Sequence, residues 1–181
     1  MSYSQLYEIK SNGDMEPGLE QRNASWLTVV WGTLVERYRR LLYPNEGIFE
    51  SRQHPPMDAP ETLWKRYKEL PLRPWERDVL EFTFDWALVP KDGLAKMAAS
   101  MRRWADAHAK PGVVCHAKAW ADELDRLSGD PECQGVGLYG HSVGDCLWWV
   151  SAKDVDDDGR SYNINVDSRH WWIEVQGPEA A

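Results

Sequence analysis

The chain lacks the features by which most function classes announce themselves. Its three cysteines, Cys115, Cys133 and Cys146, are odd in number and share no C-x-x-C spacing, so neither a secreted disulfide framework nor a zinc knuckle is indicated and a reducing compartment fits best. No apolar run approaches the ~18 residues of a membrane span, and Met1 to Lys10 lack the charged segment and apolar stretch of an export signal. The expectation is a cytoplasmic protein with no membrane association, in which the Asn23-Ala24-Ser25 sequon stays idle. Also missing are G-x-G-x-x-G, the Walker A pattern, H-E-x-x-H and a paired-carboxylate helix, which leaves the commonest nucleotide-binding and metalloenzyme readings without support. There is no internal repeat, low-complexity tract or composition break, so residues 1–181 read as a single α+β domain with a flexible tail over 177–181.

Positive charge is scarce: 21 Lys and Arg face 29 Asp and Glu, a formal net charge of −8. Binding to phosphate backbones runs on cationic side chains, so direct nucleic-acid binding is disfavoured, while docking on a basic protein surface is compatible with the sign. Phenylalanine is also rare, at three residues, but tryptophan reaches eleven. Each indole carries a large apolar surface and one N–H, and serves equally in cores and recognition surfaces.

Hydrophobic spacing supplies the elements. Leu6 to Ile9 reads as a strand entering a tight turn at Asn12-Gly13-Asp14. Helical periodicity predicts helices over Trp26–Leu42, from Pro60 to Leu70, from Pro74 to about Leu88, from Pro90 to the Lys110-Pro111-Gly112 stop, and over Ala117–Leu127. The fourth would bury Leu94, Met97, Ala98, Met101, Trp104 and Ala105; the fifth Ala117, Trp120, Ala121 and Leu124. Val113-Val114-Cys115 reads as an extended link, and 43–59, broken by Pro44, Gly47, Pro55 and Pro56, as a surface loop. After Pro131 the period changes to two, predicting one hairpin from Val136–Tyr139 and Leu147–Val150 and another from Ser161–Val166 and His170–Val175. The expected fold is α+β: about five helices in the middle of the chain packed on a C-terminal antiparallel sheet, which the N-terminal strand can join.

Three constellations could carry chemistry. Gly140-His141-Ser142-Val143-Gly144 matches the nucleophile elbow G-x-S-x-G, with Asp156 or Asp158 and then His170 in triad order. An elbow needs a helix directly after its serine, whereas Asp145 to Val150 is β-prone, so a glycine-containing turn is the plainer reading and an enzyme is disfavoured. Asp154-Val155-Asp156-Asp157-Asp158-Gly159 is the opening half of a calcium loop, with Asp154, Asp156 and Asp158 as ligands; its twelfth position is Asn165, where a bidentate Glu is required. A solvated acidic loop that needs no cofactor is the alternative. Trp148-Trp149 and Trp171-Trp172 lie on expected strands, where adjacent residues face opposite ways, so one indole of each pair would face outward beside Asp156 and Asp157. Cys115-His116 has no spacing that supports a thiol nucleophile or a metal site. His54 and His108 read as surface or capping residues.

Leu6-Tyr-Glu-Ile-Lys-Ser-Asn-Gly-Asp14, Trp31-Gly-Thr-Leu34, and Arg73-Pro-Trp-Glu-Arg-Asp-Val-Leu80 leading to Phe84-Asp-Trp86 resemble small accessory proteins carried by bacteriophages and prophages. The resemblance implies a protein that binds and blocks host machinery. The expectation that follows is a non-enzymatic acidic protein-binding domain, an anti-CRISPR-like inhibitor of a host defence or nucleic-acid-handling complex with a basic surface. A serine hydrolase and a calcium-stabilised structural domain are the alternatives.

Overall fold

The computed structural model describes residues 3–22, 30, 33, 37–38, 69–83, 87–108, 111–141 and 171–178. Asn12-Gly13 bends the chain as Gly13 takes a φ of +87°, a conformation side chains resist, and joins β1 (Tyr3–Lys10) to β2 (Met15–Arg22). The turn closes through Gly13 N–H to the Lys10 carbonyl and Lys10 N–H to the Asp14 carbonyl, both 2.9 Å. Its tip is fastened to distant chain, because Ser11 donates from its backbone N–H to the Glu132 carbonyl and from its hydroxyl to the Glu132 carboxylate at 2.8 Å.

Helix α1 (Pro74–Phe82) starts on a proline whose missing N–H costs nothing at that position. Glu76 reaches back to accept the Arg73 backbone N–H at 2.9 Å; an arginine side chain cannot accept in return, so only this half of a capping box exists. The helix stops at Thr83, whose N–H and hydroxyl both donate to the Leu80 carbonyl. β3 (Ala87–Pro90) then runs into a 3₁₀ turn (Lys91–Gly93), α2 (Leu94–Ala107), α3 (Pro111–Ser128), β4 (Cys133–His141) and β5 (Trp171–Trp172).

These strands form one five-stranded sheet in the order β2-β1-β4-β3-β5. β1 is antiparallel to β2 and β4, β3 is antiparallel to β4, and β5 runs parallel to β3. Leu6 faces Leu138 and Glu8 faces Val136, so one side of the sheet presents Leu6, Val136, Leu138 and Val89 to the core. The core is completed by Trp75, Val79, Leu80 and Phe82 of α1, the Leu94, Met97, Ala98, Met101, Trp104 and Ala105 stripe of α2, and Ala117, Trp120, Ala121, Leu124 and Leu127 of α3. Trp75 meets Trp104 edge to face at 6.1 Å between ring centroids.

The class is α+β, but the expected arrangement needs correction. Among the described residues there are three α-helices, not about five. Helical positions at Val30, Thr33, Arg37 and Tyr38 fall in the first expected helix, whose other residues, like nearly all of the second, lie outside the described residues. The third ends at Phe82 instead of reaching Leu88: Ala87, Leu88 and Val89 are buried in succession, and an apolar run covered on both sides has no period that separates strand from helix. The fourth begins at Leu94, after Pro90 has ended β3, and the fifth begins at Pro111 and takes up Val113, Val114 and Cys115.

Nor is the sheet C-terminal, since three of its strands precede α2. Over Gly135–Gly137 both edges of β4 are taken, by β1 and β3, so at Val136 and Gly137 these strands stand where the expected hairpin partner 147–150 would pair. Trp171 and Trp172 pair with Ala87 and Leu88 in parallel; the other expected hairpin arms, 147–150 and 161–166, lie outside the described residues.

Candidate functional site

The site is built from the C-terminal segment upward. Exposure alternates along it: Trp172, Glu174 and Gln176 face out, while Ile173, Val175 and Gly177 are buried. That period of two is what an extended segment lying on a core produces. Ile173 N–H donates to the Leu88 carbonyl at 2.9 Å, which continues the pairing of β5 with β3.

Beyond Val175 the segment is held by one carboxylate. Asp78, buried on α1, accepts the backbone N–H of Gln176 at 3.0 Å and of Gly177 at 2.8 Å, and the Ser100 hydroxyl of α2 at 2.7 Å. Gly177 turns there with a φ of +84°. Burial pushes the Asp78 carboxyl above its ordinary range; the Gln176 N–H, the Ser100 hydroxyl, the Gly177 N–H and the charge of Lys96 pull it back. One side chain thus ties α1, α2 and the C-terminal segment together.

Trp172 is the outcome of this anchoring. It is 52 % exposed, although a large ring is costly to leave in water. The benzo half of its indole lies over Gly135 of β4: a Cβ at that position would sit 2.6 Å from the ring Cζ3 and 2.6 Å from the Val89 carbonyl oxygen. At Gly137 a Cβ would come within 3.0 Å of the Leu88 side chain. Two glycines at alternate positions therefore form a floor on the sheet face away from the helical core, flanked by half-buried Tyr7 and Ile9. The Tyr7 hydroxyl is engaged with Gln5 Oε1 at 3.2 Å. The arrangement is a fixed aromatic ring on an apolar shelf, with Glu174 two residues along on the same outward side.

Of the residues singled out from sequence, the structure describes Trp172 fully and Trp171 by its backbone in β5. Trp148, Trp149, Asp154, Asp156, Asp157, Asp158, Ser142 and His170 lie outside the described residues. Among the described residues no group of three His, Cys, Asp or Glu side chains is placed to hold a metal ion, and no helix is long and apolar enough to cross a membrane. Cys133 is buried, and burial raises its thiol pKa, which opposes the thiolate a nucleophile needs. His108, at the end of α2, packs at a tilt against Trp104, with ring centroids 4.4 Å apart. Asp78, Glu174 and the Gly135–Gly137 pair were not anticipated; Gly137 inside the predicted strand Val136–Tyr139, with Gly135 just before it, was the available signal of close approach by another group.

The fold and shelf define an α+β domain with a half-exposed indole seated on one face of its sheet. Comparison with protein-family models, with curated proteins and with solved structures finds no match.

Proposed function

We propose that this chain is a non-enzymatic acidic binding domain that docks, in the cytoplasm and without a cofactor, on a protein or complex with a basic surface. The observation that carries the reading is Trp172, more than half exposed yet fixed against Gly135. Aromatic anchors that are rigid before contact lose little freedom on binding and are over-represented among the residues that dominate interfaces. The net charge of −8 supplies the steering toward a cationic partner. Resemblance to phage accessory proteins extends the reading to an inhibitor of a host defence or nucleic-acid-handling complex, whose basic surface would otherwise hold nucleic acid.

The test is an affinity pull-down of the tagged chain from host lysate at low and high salt, with Trp172→Ala in parallel. The reading expects one stoichiometric partner that is lost at high salt and depleted with the variant. Absence of any partner at both salt concentrations, beside activity that disappears in Ser142→Ala, would replace it with a hydrolase.

A further inference from the structure

We infer that Trp172 and Glu174 together form a receptor for an arginine side chain of the partner; this rests on the binding-domain reading and names the chemistry of its contact. Both residues face outward from one extended segment, and residues two apart there stand about 6.7 Å apart. A cation is drawn to an indole face within ~6 Å of the ring, so a group stacked on Trp172 lies within reach of the Glu174 carboxylate. Arginine suits the pair better than lysine, because its planar guanidinium can stack on the ring while its N–H groups point sideways at a carboxylate.

Other occupants of an exposed indole fit less well. A nucleic-acid base would bring phosphates toward a chain of net charge −8. A neutral ring, such as a sugar, would use the indole and leave Glu174 without a role. The receptor is also built in advance. Gly135 leaves room for the ring, Leu88 receives the Ile173 N–H, and Asp78 holds Gln176 and Gly177, so the strand that carries both residues is pinned between them and beyond Glu174. Among the described cations near the segment, the Lys91 ammonium is engaged with the Asp130 carbonyl, and the stem of exposed Lys96 lies beside Gly177.

The test is an NMR titration of the isotopically labelled full chain with the blocked tripeptide Gly-Arg-Gly and its lysine and citrulline counterparts. The Trp172 indole N–H is assigned by its loss in Trp172→Phe, and the Gly135 and Gly137 amides serve as second reporters. The arginine peptide is expected to move these signals saturably, the lysine peptide more weakly and the citrulline peptide not at all. Trp172→Ala, read at the glycine amides, and Glu174→Gln are each expected to weaken binding about 2- to 5-fold, with unchanged thermal melting as the control for folding. Equal response to citrulline, or a Glu174→Gln chain that binds as well as the parent, overturns the inference. The two levels fail separately. A captured partner without an arginine response removes the arginine receptor and keeps the binding domain; an arginine response without any captured partner does the reverse.

Discussion

A single missing methyl group decides where Trp172 can lie. Gly135→Ala would place a Cβ 2.6 Å from both the indole and the Val89 carbonyl, and a backbone oxygen cannot step aside. The substitution is expected to cost about 1–3 kcal/mol in urea unfolding and to lift the indole off the sheet, visible as a displaced Trp172 indole resonance. Wild-type stability in that variant would show that the ring does not use the glycine floor. Asp78 acts at the same scale. Asp78→Ala leaves two backbone N–H groups and a hydroxyl without their acceptor, an expected loss of about 2–5 kcal/mol. Because burial raises the Asp78 pKa in the folded chain, the folded state holds this proton more tightly than the unfolded one. Its contribution to stability is fully present below the unfolded pKa and is lost as pH rises through the folded pKa. The stability of the parent minus that of Asp78→Asn should therefore fall across that acidic window; a flat difference would refute the buried-carboxylate account. Nothing in the spacing around Asp78 separates it from a solvated helix carboxylate, which is why the sequence did not reveal the clasp: its partners lie 22 to 99 positions away.

Elements with one wet face were legible, and those without were not. The α2 stripe from Leu94 to Ala105 is buried at every predicted position, since its polar residues mark the opposite side. Ala87–Pro90 had no such contrast and passed for helix. The start of α1 was readable from Pro74, but the importance of Glu76 was not. Fully buried, it accepts the Arg73 N–H and pairs with the Arg37 guanidinium of a remote segment. Glu76→Ala is expected to destabilise the chain by about 1–3 kcal/mol, less than the ~3–5 kcal/mol of a wholly buried pair because Arg37 reaches solvent. Chemical denaturation of Glu76→Ala, Arg37→Ala and the double variant checks this. Additive losses would show that the two side chains are not coupled.

For the whole molecule the C-terminal segment is part of the core, not an appendage. Removing residues 171–181 strips Ile173 and Val175 from the interior and bares the edge of β3. The shortened chain is expected to lose about 3–6 kcal/mol and to melt on the order of 10 °C lower by circular dichroism. An unchanged melting temperature would show that the segment is not part of the cooperative unit. The α+β class was readable from the change of hydrophobic period after Pro131. The strand order was not, because register between β1 and β4 is set by side chains more than a hundred positions apart, and local periodicity carries no record of partners.

That pairing also sets a timetable during synthesis. The β1–β2 hairpin is complete at Arg22, but the strand that covers the other edge of β1 begins at Cys133, about 110 residues later. At ~5–20 residues per second the ribosome needs roughly 5 to 20 s to deliver it. Throughout that interval β1 lacks its partner on that edge, while Glu8 and Lys10, 2.7 Å apart along the strand itself, put charge on it, as edges that resist pairing with other chains do.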